Sequence, residues 1–260
     1  MIGAIIGDMV GSVYEWRSIK STQFDLFCYK SRFIDDSVMT IATADVLLNG
    51  LDYAESYNKW GRLYFNAGYG RSFLKWIRAS VKQPYNSFGN GSAMRVSPVG
   101  WMFDTLEDTL AEAERSAECT HNHPDGIAGA KAVAGAIFLA RSGKSKDDIR
   151  MFIEQEFQYD LSRSIESIRP DYSFDVTCPG SVPEAIIAFL ESANFESAIR
   201  LAVSLGGDSD TQACIAGSIA EAFYKDIPDC AIESNVICQA RELLDEPMLE
   251  IVDQFYHTLR

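Results

Sequence analysis

Residues 2–15 read Ile2-Gly3-Ala4-Ile5-Ile6-Gly7-Asp8-Met9-Val10-Gly11-Ser12-Val13-Tyr14-Glu15, an apolar run with glycine at every fourth place from Gly3 to Gly11. At 3.6 residues per turn, that spacing stacks the three glycines on one helix face. A face without side chains lets another backbone come close, so the run predicts a central, fully buried helix. Gly126, Gly129, Ala130, Ala134 and Gly135 predict a second such helix. Met1 to Val13 has no basic start and contains Asp8, unlike a signal peptide or anchor. The longest other apolar stretch, Ile127 to Ala140, is short and interrupted by Lys131, so no membrane span is expected.

Helix punctuation recurs along the chain. Asp52 with Glu55, Thr105 with Asp108, Ser145 with Asp148 and Ser181 with Glu184 each place a capping residue three positions before an acid. Pro183 suits the first turn of the last of these, where its missing N–H costs nothing. Gly50, Gly68, Gly143 and Gly206 follow apolar periodic runs, as helix-ending residues do. Alternating strand patterns are nearly absent. Neither a linker nor a repeat interrupts the chain. The expectation is an all-α fold: one compact multi-helix domain over residues 1–260, with about ten helices. The tail from Asp229 to Arg260 reads as one or two amphipathic helices.

Composition agrees. The chain has 260 residues, 47% hydrophobic and 12% aromatic, which excludes a disordered or low-complexity protein. A chain this long buries roughly 70–75% of its unfolded surface and needs no staples. Its net charge of −14 is the wrong sign for neutralising phosphates along a duplex, so nucleic acid is not an expected partner. The six cysteines, Cys28, Cys119, Cys178, Cys214, Cys230 and Cys238, form no CxxC pair. They are read as reduced thiols of a cytoplasmic protein.

Two acidic clusters carry the chemistry. Ile34-Asp35-Asp36-Ser37 and Gly207-Asp208-Ser209-Asp210-Thr211 each set a carboxylate pair before an apolar, Ala-rich helical run. One Asp at a helix start accepts backbone N–H bonds and complements the dipole, worth about 0.5–2 kcal/mol. A second Asp is surplus to capping, and adjacent carboxylates raise each other's pKa. A hard divalent cation relieves that repulsion, since Mg²⁺ and Mn²⁺ prefer carboxylate, hydroxyl and water oxygens. If the two starts meet in space, four carboxylates can hold two ions roughly 3.5–4 Å apart. Asp208 to Gln212 superficially matches a haloacid dehalogenase motif, but Gln212 stands where Thr or Val is needed. A His-Asp phosphohydrolase needs a doublet that His121, His123 and His257 do not make.

With these clusters, five separated segments resemble the ADP-ribosylglycohydrolase family, in the family's order, from Ile2 to about Tyr224. They are Gly7 to Glu15, Asp35-Asp36-Ser37, Gly89-Asn90-Gly91-Ser92-Ala93-Met94-Arg95, Thr120-His121-Asn122-His123-Pro124, and Gly206 to Thr211. The resemblance implies an all-α fold with two Mg²⁺ or Mn²⁺ ions at the base of a cleft. It implies Asp35, Asp36, Asp208, Asp210 and Thr211 as metal ligands, and Glu15, Asp35, Asp36 and Asp210 as the catalytic group. It implies a hydrolase that releases ADP-ribose from an ADP-ribosylated protein or small molecule, the N-linked arginine adduct first among these. Serine-linked or small-ester adducts are the alternative acceptors. An ADP-ribose-binding protein with weak catalysis is the alternative class, because Ile34 stands where the family usually has a ligating Thr. Its surface implies neither nucleic acid nor membrane as partner, and a monomer is expected.

Other positions are weighed beside their plainer roles. The loop from Asn86 to Ser92 suits a diphosphate, since glycine brings backbone N–H groups close, although Asn-Gly is also a turn pair. Asn90, Gly91, Ser92 and His123 are the expected substrate contacts. Arg95 is read either as a ligand contact or as a structural ion-pair partner. Gly68-Tyr69-Gly70 with Arg71 is expected to border the cleft. The adenine pocket is placed near Tyr172 to Ser181 from order in the family, and Asp8 is left unassigned.

Overall fold

The computed structural model describes residues 1–225 and 236–259. Their helices are α1 (Ile2–Gly11), α2 (Asp35–Asn49), α3 (Tyr53–Leu63), α4 (Arg71–Arg78), α5 (Gly91–Met94), α6 (Ser97–Met102), α7 (Leu106–Glu118) and α8 (Pro124–Arg141). They continue with α9 (Lys146–Phe157), α10 (Ile165–Ile168), α11 (Cys178–Glu191), α12 (Phe195–Val203), α13 (Ser209–Tyr224), α14 (Val236–Leu243) and α15 (Glu246–Thr258). Among the described residues there is no strand, only an isolated antiparallel bridge between Gly89 and Thr177. The fold is all-α, as expected. The helices outnumber the expected ten because α5, α6 and α10, at four to six residues, are too short to leave a 3.6-residue period.

The centre is the α1–α13 pair. Every residue of α1 is buried, and so is every residue of α13 from Ser209 to Ala222. The glycine stripe explains the contact. A methyl group at Gly3 would overlap the Gly217 carbonyl, one at Gly7 the Ala213 carbonyl, and one at Gly11 the Asp210 backbone. The two backbones therefore run against each other over about two turns of α1, from Gly3 to Gly11. α12, α11 and α8 pack around α13, α2 packs on α1, and α15 packs on α2. The small-residue face of α8 works likewise: a methyl at Gly126 would lie 2.6 Å from the Ser87 carbonyl oxygen, so the 86–92 loop settles directly on the helix.

Three of the four expected caps are present. Asp52 accepts from the Glu55 N–H, Thr105 from the Asp108 N–H, and Ser145 with Asp148 forms a reciprocal capping box. The fourth needs correction. α11 starts one turn earlier than Ser181, with Thr177 accepting from the Gly180 N–H and Pro179 in the first turn. Thr177 and Pro179 satisfy the same capping rules sooner, which leaves Ser181 and Pro183 inside the helix. There Pro183 deletes the ladder bond to the Pro179 carbonyl. The glycines with positive φ are Gly50, Gly68, Gly143 and Gly206, but of these expected helix-ending residues only Gly50, the C-cap of α2, and Gly143, next to the C-cap of α8, stand at a helix end; α3 already stops at Leu63 and α12 at Val203. In the tail, α14 and α15 are the expected amphipathic helices, while Asp229 to Asn235, with Cys230, lies outside the described residues. Cys28, Cys119, Cys178 and Cys214 form no disulfide. No helix of the described residues is long and apolar enough to cross a membrane.

Because Gly7 abuts backbone that cannot rotate away, Gly7→Ala is expected to lower stability by about 3 kcal/mol in denaturant unfolding. Gly143, with φ 79° and open space around it, serves as the control. Gly143→Ala is expected to cost only about 1 kcal/mol, from its left-handed backbone.

Candidate metal centre and cleft

A cleft of about 500 Å³ opens over the N-termini of α2 and α13. Its floor is acidic. Asp35 and Asp36 begin α2, Asp208 and Asp210 begin α13, and Glu15 sits in the turn that follows α1. The α1–α13 contact sets this arrangement, since Gly11 lies against the Asp210 backbone and so delivers Glu15 to the head of α13. Glu15, Asp208 and Asp210 each present a carboxylate oxygen within 4.8 Å of the others. Asp35 and Asp36 line the same floor and repel Asp210 through their charge. Thr211, 3% exposed, also faces the cleft, and its hydroxyl makes only a weak 3.9 Å contact with Met94 Sδ.

Asp8, unassigned from sequence, holds one cluster in place. Ile34 occupies the N-cap position of α2 and has no side chain able to cap. One oxygen of Asp8, reaching across from α1, substitutes for it. Asp8 Oδ2 accepts from the Ile34 N–H at 2.9 Å, the Ser37 N–H at 3.1 Å, and the Ser37 hydroxyl. These are the two backbone donors that a capping box satisfies within one helix. The signal was present: an acid in the middle of an apolar glycine helix must find donors somewhere.

The carboxylates are costly without a counter-charge. Burial, then the neighbouring Asp210 charge, pushes Asp35, Asp36 and Asp208 well above the usual carboxylate range. Burial raises Asp8 to about 7 against the pull of its hydrogen bonds from Ser37 and Ile34. Glu15 also rises to about 7, through burial and then Asp210, opposed by Trp16 and Arg32. Buried Asp8 Oδ1, Asp36 Oδ1 and Asp210 Oδ1 have no hydrogen-bond partner. Unpartnered anionic oxygens beside a hydroxyl are the ligand set of a hard divalent cation, so the residues fit one. Asp208 is oriented by Asn90, whose Nδ2 donates to Asp208 Oδ2 at 2.7 Å and to Ser181 Oγ at 3.1 Å.

The wall above the acids is the glycine loop. Its Asn90 N–H donates to the Val176 carbonyl at 2.8 Å, and the Cys178 N–H donates to the Phe88 carbonyl at 2.9 Å. Asn90 and Gly91 line the cleft, as do Gly68, Tyr69, Gly70 and Arg71. Ser92 and His123 do not reach it. Ser92 is fully buried and donates to the Gly126 carbonyl at 2.6 Å. His123 caps α8, its Nδ1 accepting from the Asp125 N–H at 3.2 Å. Proline at the next position makes His123 the last residue before the helix, and capping claims its ring.

His121 stands at the wall instead. Burial, then Arg95, holds its imidazole pKa well below the ordinary value, so the ring is neutral. Arg95 donates to Thr120 Oγ1 at 2.9 Å, and Thr120 Oγ1 is hydrogen-bonded to His121 Nδ1, 2.7 Å away. The His121 Nε2 lies beside Gly91. Arg95 itself is 1% exposed and lies with its guanidinium 4.1 Å from the Tyr57 ring centre. Its bonds go to the Ser116 carbonyl and Thr120 rather than to a carboxylate, so it is not the structural ion-pair partner, and it is among the residues that line the cleft. In the expected adenine segment, Phe174 and Val176 line the cleft, while the Tyr172 hydroxyl is turned to the Gly180 carbonyl at 2.6 Å.

Comparison with known proteins places this geometry. The ADP-ribosylglycohydrolase family model matches residues 1–258. ADP-ribosylhydrolase ARH3 of Mus musculus is 27% identical, over 86% of this chain and 82% of its own. ADP-ribosylarginine hydrolase Tri1 of Pseudomonas putida is 26% identical, over 86% of this chain and 69% of its own. A solved structure described as an ADP-ribosylglycohydrolase-related protein complex shares the fold with a TM-score of 0.72, at 24% identity, covering 100% of this chain and 97% of its own.

The raised carboxyls make stability depend on pH. In the unfolded chain these groups lose their protons near pH 4, whereas folded Asp8 and Glu15 hold theirs to about 7. The folded state binds more protons across that window, so stability falls as pH rises through it. Chelator-treated protein is expected to melt lower at pH 7.5 than at pH 5.5, and added Mn²⁺ to raise the midpoint more at pH 7.5. Differential scanning fluorimetry reads both.

Proposed function

The chain belongs to the ADP-ribosylglycohydrolase family and is a hydrolase of that class. From that premise we propose that it cleaves the N-glycosidic bond of ADP-ribosyl-arginine. The observation that carries the reading is the meeting of Glu15, Asp208 and Asp210 within 4.8 Å at the base of a cleft walled by the glycine loop. Asp35, Asp36, Asp208, Asp210 and Thr211 would hold Mg²⁺ or Mn²⁺, two ions if both Asp pairs ligate, with Glu15 beside them. When bound, such ions orient ribose hydroxyls and make a nearby water more acidic.

The chain's own groups supply the rest. Scission of the glycosidic bond develops positive charge on the ribose ring. Glu15, poised near 7, matches a general base that takes a proton from the attacking water at neutral pH. Water oxygen bonds the anomeric carbon as the carbon–nitrogen bond breaks. The electron pair leaves with the guanidine, which then takes up the proton. Asn90 keeps Asp208 aimed at the floor, and Gly91, at the head of α5 in the cleft wall, lets a diphosphate come close to the backbone. The acidic balance of the chain suits a cationic acceptor. Ile34, which supplies no oxygen beside the Asp pair, supports the second reading: an ADP-ribose-binding protein with weak turnover.

With Mg²⁺ or Mn²⁺, the protein is expected to release ADP-ribose from arginine-linked substrate faster than from serine-linked or ester-linked substrate, followed by chromatography. Glu15→Gln is expected to lower kcat by roughly a hundredfold or more. Full activity in Asp210→Asn would refute the carboxylate mechanism. Ile34→Thr, which restores an oxygen, is expected to tighten Mn²⁺ binding in calorimetry. If tight ADP-ribose binding without turnover is found, and Ile34→Thr restores turnover, the binding reading replaces the enzymatic one.

A further inference from the structure

Trp16 and Phe174 form an aromatic pair at the mouth of the cleft. Their rings stack with centroids 5.4 Å apart and planes 27° from parallel. Trp16 is 78% exposed and Phe174 is 43% exposed, yet both line the cleft. Their backbones are anchored. Ser18 Oγ donates to the Gly206 carbonyl at 2.8 Å, tying the Trp16 turn to the lead of α13. Asp175 Oδ1 accepts from the Thr177 N–H and hydroxyl, each at 2.7 Å, and Val176 is bonded to the glycine loop. Elsewhere Lys30, Lys59, Lys82, Arg95 and other cations sit over aromatic rings, but none covers Trp16 or Phe174 among the described residues. The pair is a held, uncovered π surface.

Its place decides what it faces. Trp16 follows Glu15, and Glu15 belongs to the acidic group that meets the scissile bond. The group next to that bond on the solvent side is the acceptor. We propose that Trp16 and Phe174 are the acceptor-selecting platform, stacking the planar guanidinium of an ADP-ribosylated arginine. This rests on the arginine reading above. A guanidinium is flat, permanently charged and weakly hydrated, and it stacks on indole better than on any other side chain. A serine hydroxyl acceptor offers no flat cation, and so gains nothing from the pair. A purine could also lie flat on it, which makes ADP-ribose affinity the deciding control.

The experiment compares Trp16→Ala, Trp16→Phe and Phe174→Leu with the parent protein. Arginine-linked and serine-linked ADP-ribose peptides serve as substrates, and ADP-ribose affinity is measured by calorimetry. Trp16→Ala is expected to raise KM for the arginine-linked peptide by roughly five- to thirtyfold relative to the serine-linked peptide; Phe174→Leu, which leaves the Trp16 hydrogen bond to Glu15 in place, is expected to raise it similarly with kcat within about twofold. Trp16→Phe recovers most of the loss, and ADP-ribose affinity stays within about twofold. An equal loss of ADP-ribose affinity would assign the pair to the base and overturn the proposal. So would an unchanged KM in Trp16→Ala and Phe174→Leu while the parent cleaves the arginine adduct. A parent that cleaves only the serine adduct defeats the arginine reading itself, and this proposal with it.

Discussion

The direct backbone contact between α1 and α13 is the constraint on which the rest depends. Gly3, Gly7 and Gly11 remove every side chain from the contact, and Gly217 and Ala213 answer them from the other helix. At the far end, Glu221 of α13 accepts from the Met1 amine at 2.6 Å and from the Gly3 N–H at 2.8 Å. The two helices are thereby fixed in register at both ends. A shift by one turn would put Glu15 beside apolar residues of α13 instead of Asp208 and Asp210. Close approach serves more than packing, because it brings three carboxylates from distant parts of the chain within bonding range of one ion.

That proximity has an electrostatic cost, and the fold manages it in two ways. Asp8 spends one oxygen as the cap that Ile34 cannot supply, which converts a buried acid into a structural tie between α1 and α2. Asp208 shares its burden with Asn90. The remaining oxygens stay unsatisfied, and like charges at such separations do not all ionise in a buried site. The natural resolution is a cation, which is why the same residues that strain the fold are suited to chemistry.

Much of this could be read along the chain, because it is written in local patterns. The glycine spacing marked α1 as central, and Gly50, Gly68, Gly143 and Gly206 adopt positive φ, two of them at helix ends. The two Asp clusters announced themselves by exceeding what a cap requires. What was illegible depends on partners far away in sequence. Asp8 is an ordinary buried acid until Ile34 and Ser37 are brought to it. Ser92 and His123 sit in suitable motifs, but α8 claims both: one bonds the Gly126 carbonyl, the other caps the helix. His121 takes the place at the wall because Thr120 and Arg95 turn it there. The start of α11 was missed for a local reason, since two sets of capping residues lie one turn apart and only one can act.

The line from Arg95 through Thr120 to His121 has a polarity. A guanidinium can only donate, so the threonine hydroxyl accepts from it and meets the imidazole at Nδ1 on its other side. That engages the inner nitrogen of the ring and leaves the Nε2 edge beside Gly91. Burial keeps the ring neutral, so this stretch of wall meets a bound sugar by shape and hydrogen bonding and adds no positive charge to grip an anion.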